Sequence, residues 1–339
     1  MGLGYGVPDS PPPPGAFVSQ PSLPVTRLLA PGSESLPFGL PLLVGDQAAA
    51  GTAMNDLRRA LASLGVTANS TIARAPGQAA KALTAALADG TRYIVAVGGD
   101  RLARELVTAL LGPTGPGQGA DVVLGLVGLG RQDLSATFGL PDDPVAAASH
   151  LVGGNVFTAD VGRARWQGPD GRRRGSLFAN AAELGYPAEL SSRRTRLPMT
   201  GRLARAGKLG AALGALAVSR STPAHLTLAH ASVDLRLAGL VVANGQFSMG
   251  RMKVAPRALP DDGRLSVLAF EAEPLGIYAK SARIAYGEHL PDPMIREYQS
   301  PTVELDSAEP LPLALDGVRV AGGPPCSFDL LRGALRIKV

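Results

Sequence analysis

The chain has few of the residues that form disulfide frameworks or metal centres. Only one of its 339 residues, Cys326, is cysteine, which excludes an internal disulfide and any site with several cysteine ligands. The four histidines are scattered and lack a metal-binding spacing such as His-Glu-x-x-His. No uninterrupted apolar run reaches about 18 residues, so we expect no membrane-spanning helix. The N-terminus lacks a signal-peptide pattern, and the cytoplasm is therefore the expected location.

Aromatic residues are also scarce, at 4% of the chain, so Ala, Gly, Leu and Val must build the core. Nucleic-acid binding is not expected, because few rings are available to stack on bases. Hydrophobic residues make up 45% and charged residues 18%, which is compatible with a packed globular protein. The net charge of +5 favours anionic partners without identifying one.

The sequence divides into three regions. Residues 1–37 are rich in Pro, Gly and Ser, and we predict a flexible tail. Strand and helix patterns alternate over about 38–150, which predicts a doubly wound parallel sheet that binds ligands at the carboxyl ends of its strands. Short alternating segments separated by turns fill about 151–339 and predict an antiparallel sandwich or barrel. One helical insert is expected at about 199–218.

A strand, a glycine turn and a helix follow one another at Tyr93–Glu105. The apolar run Tyr93–Val97 leads into Gly98, Gly99 and Asp100, and then into a helical pattern. Glycines let main-chain N–H groups approach a phosphate, and the helix N-terminus adds partial positive charge. Asp100 is predicted either to cap this helix or to act through a metal ion. An ordinary capped turn without a ligand is the alternative.

A second glycine turn follows the next predicted strand. The segment that ends at Val127 continues through Gly128 and Gly130 to Asp133 and another helical pattern. Turns after neighbouring parallel strands meet at one sheet edge, so we expect the two turns to lie within about 10 Å and to form a shared phosphate cradle.

Five short motifs occur in one order along the chain. Their residues are Gly98, Gly99, Asp100 and Glu105; Asp133, Gly139, Leu140 and Pro141; Asn180 and Gly185; Asn244, Gly245, Gly250, Ala255, Pro256, Ala258, Asp261, Asp262 and Gly263; and Leu315, Asp316 and Gly317. In this order they resemble the catalytic family of diacylglycerol kinases, which includes bacterial lipid kinases and shares its fold with sphingosine and NAD kinases. The resemblance covers about residues 38–339. It implies a Rossmann-like α/β domain followed by a β-sandwich domain, with the site between them.

The resemblance also implies an activity and its residues. It implies transfer of the γ-phosphoryl group of ATP, with Mg²⁺, to the hydroxyl of a diacylglycerol-like lipid. Asp100 and Asp316 are the implied catalytic residues. The implied cofactor-binding residues are Gly98, Gly99, Asp100, Arg101, Gly128, Gly130 and Asp133. Asp262 is the implied ligand of a structural metal, with a plain turn between strands as the alternative.

The chain departs from the family pattern where the chemistry is expected. Arg101 and Leu102 replace a glycine and a threonine in the first turn. In the second turn Gly130 stands at the threonine, and Arg131-Gln132 replace Gly-Asn. Val318 stands where the family has a glutamate thought to deprotonate the lipid, and a missing base costs about 10²–10⁴ in rate. We therefore expect weak or lost activity. A non-catalytic nucleotide- or lipid-binding protein and a structural or interaction protein are the alternatives.

The segment 151–210 is strongly basic, with eleven Lys or Arg against four Asp or Glu. Its cationic cluster comprises Arg172, Arg173, Arg174, Arg193, Arg194, Arg196, Arg202, Arg205 and Lys208. The predicted helix at 199–218 adds leucines beside these charges, which is typical of peripheral binding to an anionic membrane surface. A solvated face packed on the sandwich is the alternative, and a homodimer is also left open.

Overall fold

Strands and helices alternate through the first half of the computed structural model, which describes residues 39–49, 51–112, 119, 121–129, 132–153, 155–194 and 202–339. The elements of this half are β1 (Leu40–Gly45), α1 (Asp46–Ala49), α2 (Thr52–Ser63), β2 (Ala68–Ala73), α3 (Gln78–Ala88), β3 (Tyr93–Val97), α4 (Asp100–Leu111), β4 (Val123–Val127), α5 (Asp133–Thr137) and α6 (Pro144–Val152). The strands run parallel in the order β2-β1-β3-β4.

Helices cover both faces of this parallel sheet, which explains the nearly continuous apolar residues of β1, β3 and β4. In β1, Leu42 and Val44 pack with α2 and α6, while Leu43 packs on the opposite side with α3 and α4. The carboxyl ends of β1, β3 and β4 therefore lie side by side at one edge, where their turns begin.

The second half is mainly antiparallel. Its elements are β5 (Val156–Gln167), β6 (Arg173–Phe178), β7 (Ala181–Gly185), α7 (Tyr186–Arg194), α8 (Arg202–Val218), β8 (Thr222–Leu228), β9 (Ala231–Leu237), β10 (Gly239–Ala243), β11 (Leu265–Phe270), α9 (Pro274–Ala279), α10 (Ser281–Tyr286), β12 (Ile295–Ser300), β13 (Val303–Ser307), β14 (Leu313–Leu315), β15 (Val318–Arg319) and β16 (Gly323–Lys338). A six-stranded sheet has the order β12-β11-β10-β7-β14-β15. It packs through residues such as Leu184 and Val242 on the antiparallel part of a larger sheet.

The last strand links the two halves. β16 pairs antiparallel with β5 and β13, and near its end it pairs parallel with β4. The parallel sheet therefore continues into antiparallel strands, giving one ten-stranded sheet. The predicted fold class, a parallel α/β part followed by an antiparallel sandwich, is confirmed. The boundary at 150/151 stays a prediction.

The described residues of the second half form four helices, where the sequence predicts one. α8 corresponds to the predicted insert, whose residues 199–201 lie outside the described residues. The others are α7, α9 and α10, of nine, six and six residues, which are too short to show a clear helical period. The predicted tail at 1–37 also lies outside the described residues. None of the described helices is long and apolar enough to cross a membrane.

Candidate functional site

The turn after β3 lies against the end of β4. The Gly98 N–H donates to the Val127 carbonyl oxygen at 3.0 Å. A Cβ at Gly98 would come within 3.2 Å of the Leu102 side chain, so that space is already filled. Gly99 has nothing within 4 Å of its would-be Cβ and leaves its backbone open. Of the two glycines in this first turn, Gly99 is thus the accessible one.

Asp100 joins the two predicted turns. Its buried carboxylate accepts hydrogen bonds from the Asp133 N–H at 2.9 Å and the Leu134 N–H at 3.0 Å. It therefore caps the N-terminus of α5, not of its own helix, whose first turn has no side-chain cap. Burial, followed by the nearby Asp133 charge, raises the pKa of the Asp100 carboxyl well above its usual range. The two turns are in hydrogen-bond contact, which confirms their expected closeness.

Asp133 in turn joins this edge to the loop after β10. Its carboxylate accepts from the Gly250 N–H at 3.1 Å and from the Arg251 N–H. Met249, Gly250 and Arg251 all have positive φ, of 56°, 81° and 66°, which aims successive N–H groups at one acceptor. Such a conformation costs on the order of 1 kcal/mol per non-glycine residue, so the carboxylate helps to hold a strained turn. Burial raises the pKa of Asp133.

Asp316 performs the same task between β14–β15 and β7. Its carboxylate accepts from three main-chain N–H groups, those of Ala179 at 2.9 Å, Asn180 at 2.8 Å and Ala181 at 3.0 Å. Burial raises the pKa of Asp316, while these hydrogen bonds and the positive charge of Arg104 act in the opposite direction. All three predicted acids are thus acceptors of main-chain hydrogen bonds. Their roles in catalysis or cofactor binding stay predictions.

The two motif asparagines connect the same loops. The Asn180 Oδ1 accepts from the Thr137 hydroxyl at 2.8 Å, which links β7 to α5. The Asn244 side-chain amide donates to the carbonyl oxygens of Asp160 and Ala179 at 2.8 and 3.0 Å. A Cβ at Gly245 would come within 2.0 Å of Asn180 Oδ1, so a glycine is required there. Motifs that are far apart in the sequence therefore meet in one hydrogen-bonded cluster.

The substituted positions in the two turns change their surfaces. Leu102 points into the core against Gly98 and is 8% exposed, whereas Arg101 is exposed to solvent. Gln132 is 1% exposed, and its side chain lies 2.9 Å from a would-be Cβ at Gly128. Space beside Gly128 that the resemblance assigns to a nucleotide is thus occupied by Gln132. Gly130 and Arg131 lie outside the described residues.

Asp262 lies apart from this cluster, in the turn before β11. It is exposed, and its Oδ1 accepts from the Arg264 N–H at 2.9 Å, as in an ordinary Asx turn. The neighbouring acid Asp160, which the sequence analysis missed, accepts from the Gly263 and Gly333 N–H groups at 2.9 and 2.7 Å. Within the described ranges, no three His, Cys, Asp or Glu side chains are grouped to hold a metal. The metal role of Asp262 stays a prediction.

Glu183 is the second acid that sequence reasoning missed. It lies in the middle of β7, is 1% exposed, and accepts from the hydroxyls of Ser191 at 3.1 Å and Ser248 at 2.6 Å. Burial is the main cause that raises its pKa to about 8, and the charges of Asp316 and Asp133 add to it. The one available signal was an acid within the apolar segment Phe178–Gly185, where a charged residue is costly.

A separate cavity of about 560 Å³ lies on the outer face of the ten-stranded sheet. Arg165, Thr227 and Glu304 are among the residues that line it. Of the described motif residues, none lines this cavity. The hydrogen-bonded cluster, not this cavity, is therefore the candidate site.

Two family models match the chain in succession. Residues 44–164 match the diacylglycerol kinase catalytic domain, and residues 184–339 match the YegS C-terminal NAD kinase beta sandwich-like domain. The resemblance to the diacylglycerol kinase family is confirmed. The first match covers the end of β1 and the strands β2, β3 and β4 with their two turns, and the second covers Glu183's neighbours Ser191, Ser248 and Gly317.

Similar curated proteins agree with these matches. A protein of Pseudomonas syringae pv. syringae (strain B728a), named "Probable lipid kinase YegS-like", is 28% identical over 263 residues, which are 77% of this chain and 80% of that protein. A Klebsiella pneumoniae (strain 342) protein of the same name is 25% identical over 266 residues, 78% of this chain and 83% of its own.

Solved structures support the fold. A diacylglycerol kinase structure from Bacillus anthracis strain Sterne has a TM-score of 0.63 and 19% identity, and covers 89% of this chain and 96% of that chain. Another chain from the same strain gives a TM-score of 0.67 at 20% identity. At these identities the similarity shows a shared fold.

Proposed function

We propose that this protein is a slow lipid kinase, which transfers the γ-phosphoryl group of ATP to the hydroxyl of a diacylglycerol-like lipid. The observation that carries the proposal is the chain of hydrogen bonds from Asp100 to residues 133–134 and from Asp133 to residues 250–251. It brings the motifs of both halves together beside the open backbone at Gly99. Phosphoryl transfer depends mostly on such positioning and on electrostatics.

The open backbone at Gly99 and the N-terminus of α4 are the proposed contacts for the nucleotide phosphates. Gly99 has free space around it, and the twelve-residue α4 places the partial positive charge of its N-terminus next to that space. Asp100 orients the second turn by capping α5, so the N–H groups of Asp133 and Leu134 are already paired. The residues in this proposal bind and position the nucleotide, and Asp100 and Asp133 act by holding the loops.

The described side chains do not form a protein-held magnesium site. The carboxylates of Asp100, Asp133 and Asp316 each accept at least two main-chain hydrogen bonds, and no group of three ligating side chains occurs among the described residues. When bound, Mg²⁺ neutralises charge that develops on the transferred phosphoryl group. It commonly binds through substrate phosphates and one or two carboxylates.

Slow turnover is proposed because of the substituted turns. Leu102 supplies no hydroxyl for a phosphate oxygen, and Gln132 fills space beside Gly128. Weaker positioning raises the barrier, because misplacement of about 1 Å can cost on the order of 10² in rate. A purified protein should therefore turn over below the range of about 1–100 s⁻¹ that kinases reach.

The decisive experiment is ATP consumption by the purified protein with a panel of lipids that carry a free hydroxyl. Lipid-dependent formation of ADP and of a phosphorylated lipid supports the proposal. Binding of a fluorescent ATP analogue without turnover on any lipid would favour the non-catalytic alternative. Absence of both would leave a structural or interaction role.

An anionic membrane surface is the second proposed partner, with a cytoplasmic location and peripheral attachment. Leu209 and Leu213, one turn apart on α8, are 51% and 54% exposed. Arg193 packs against this helix at Gly214, and Arg220 is exposed just after its end. An apolar helix face beside cations is typical of binding at an anionic bilayer. Oligomeric state stays a prediction.

Sedimentation with vesicles tests this second proposal. Binding should need anionic phospholipid and weaken with salt, because exposed charges are screened over about 8 Å at physiological ionic strength. Leu209→Ser with Leu213→Ser should reduce binding, whereas Leu64→Ser, at the residue that follows α2 and with 45% exposure, is the matched control. Equal binding to neutral and anionic vesicles would contradict the proposal.

A further inference from the structure

Glu183 differs from the three motif acids in the way its carboxylate is held. Asp100, Asp133 and Asp316 accept hydrogen bonds from main-chain N–H groups of neighbouring loops. Glu183 accepts on Oε1 from two side-chain hydroxyls, those of Ser191 on α7 and Ser248, and on Oε2 from one main-chain N–H, that of Gly317, at 3.5 Å. A main-chain N–H donor is fixed by the fold, whereas a hydroxyl donor can be replaced by another hydroxyl. Among these four acids, Glu183 is the one suited to an alcohol.

The distances at Glu183 match those of a base and its alcohol. The hydroxyl oxygens of Ser248 and Ser191 lie 2.6 and 3.1 Å from Glu183 Oε1. A general base must lie about 2.6–3.2 Å from the group whose proton it takes. A lipid hydroxyl that replaced either serine would therefore be in the geometry needed for proton transfer.

Glu183 also adjoins the turn where the expected base is missing. Its Oε2 lies 3.5 Å from the Gly317 nitrogen, and Glu183 is opposite Ala314 in the sheet. Val318 follows directly and cannot accept a proton. The Glu183 carboxylate on β7 thus lies against the turn that contains Asp316 and Gly317.

We propose that Glu183 is the general base of the phosphoryl transfer, in place of the glutamate that Val318 replaces; this rests on the lipid kinase function proposed above. The lipid O–H gives its proton to the Glu183 carboxylate as its oxygen forms a bond to the γ-phosphorus of ATP. The bond from the γ-phosphorus to the β–γ bridging oxygen breaks, and ADP leaves with that electron pair. The proton passes from Glu183 to solvent after product release.

The proton affinity of Glu183 suits this task. Burial, with the nearby carboxylates, raises its pKa to about 8, and a base works best when its pKa is close to the working pH. The charges of Asp133 and Asp316 act on Glu183, and α7, which packs on β7, carries Glu189, Arg193 and Arg194. Arg319 of β15 pairs with Glu189. The turnover rate should therefore rise about tenfold from pH 7 to pH 9 as Glu183 loses its proton.

The test compares four proteins in the lipid kinase assay: wild type, Glu183→Gln, Val318→Glu and the double variant. Glu183→Gln should lower kcat by about 10²–10⁴ with little change in KM. The double variant should regain kcat, and its rise with pH should move to lower pH because residue 318 is only half-buried. Glu297→Gln is the matched control, since Glu297 is a glutamate of the same sheet with an 11% exposed side chain that the site does not use.

Each outcome decides the proposal. Unchanged kcat and pH profile in Glu183→Gln would overturn it. Turnover in Val318→Glu but not in the wild type would show that the wild type lacks a base. That result overturns the role of Glu183, and it leaves the wild type a kinase scaffold without activity. If Glu183→Gln does not fold, the pH profiles of the wild type and Val318→Glu decide. Both proteins should then be active, and the pH midpoints of their turnover rates should differ, because the base is Glu183 in one and residue 318 in the other. No turnover in either protein would refute the kinase function and the role of Glu183 together. A nucleotide-binding assay would then distinguish a nucleotide-binding protein from one that does not bind nucleotide.

Discussion

The buried carboxyl of Glu183 makes stability depend on pH. In the folded protein its pKa is raised to about 8 from an ordinary value of 4.5, chiefly by burial. Between these values the folded state keeps a proton that the unfolded state has lost. Folded molecules then bind more protons than unfolded ones, so the free energy of unfolding falls as pH rises. Above about pH 8 both states are ionised and this contribution no longer changes.

The size of the effect follows from the same two values. At about 1.4 kcal/mol for each pH unit, the whole interval corresponds to about 5 kcal/mol. An experiment between pH 5.5 and 8.5 samples about 3 kcal/mol of it. Glu183→Gln removes the titration but keeps a neutral acceptor for Ser191 and Ser248. The variant should therefore match the wild type to within about 1 kcal/mol at pH 5.5 and exceed it at pH 8.5.

Urea unfolding followed through the single tryptophan, Trp166, provides the assay, because that side chain is 7% exposed and should report loss of the sandwich core. The raised pKa values of Asp100, Asp133 and Asp316 add slopes of the same sign. These slopes are present in both proteins and largely cancel in the difference; Asp133 and Asp316, whose charges act on Glu183, leave a smaller remainder. Parallel curves for wild type and variant over this pH range would refute the reasoning, since Glu183 would then titrate as in an unfolded chain.

Three further predictions concern other parts of the structure. Asp100→Ala leaves two buried N–H groups of α5 unpaired and should lower the free energy of unfolding by about 2–5 kcal/mol. The control Asp143→Ala removes an exposed cap of α6 and should cost about 1 kcal/mol. Similar losses in the two variants would contradict the buried cap. Arg101→Gly with Leu102→Thr should tighten binding of a fluorescent ATP analogue while lowering stability by about 2 kcal/mol, and unchanged affinity would argue against a nucleotide at this turn. Leu213→Ser should weaken binding to anionic vesicles without changing the urea midpoint, because this side chain is exposed; an altered midpoint would show that it packs within the fold.

The parallel half of the fold was predictable because its signals are local. Tyr93–Val97 and Val123–Val127 are apolar runs between turn residues, and both form strands near their expected bounds. The return of β16 to pair with β4 was not predictable from such patterns. That pairing joins residues more than 200 positions apart, and a strand's apolar alternation does not say which neighbour it will choose.

The position of the candidate site was predictable from the sequence, but its hydrogen-bond partners were not. Glycine turns after parallel strands indicated where Asp100 and Asp133 would meet. The sequence could not show that Asp100 caps α5, because a carboxylate near two helix starts has two possible partners and geometry chooses between them. Glu183 was missed for a different reason. It stands at an unspecified position between the motif residues Asn180 and Gly185, and its closest hydrogen-bond partner, Ser248, is 65 residues away in the sequence.

The way the motif acids are bonded limits what their presence can say about activity. Each of Asp100, Asp133 and Asp316 closes a contact between loops, so the folded structure alone accounts for these residues, and a chain without catalysis would need them equally. The question of activity therefore rests on groups that the fold does not need. A protonatable carboxyl within an apolar sheet is such a group, because a buried hydrogen-bonded acid is rarely better for stability than an apolar residue of similar size. Glu183, with its cost to stability above neutral pH, is thus the residue whose removal separates a kinase from a folded relative that only binds.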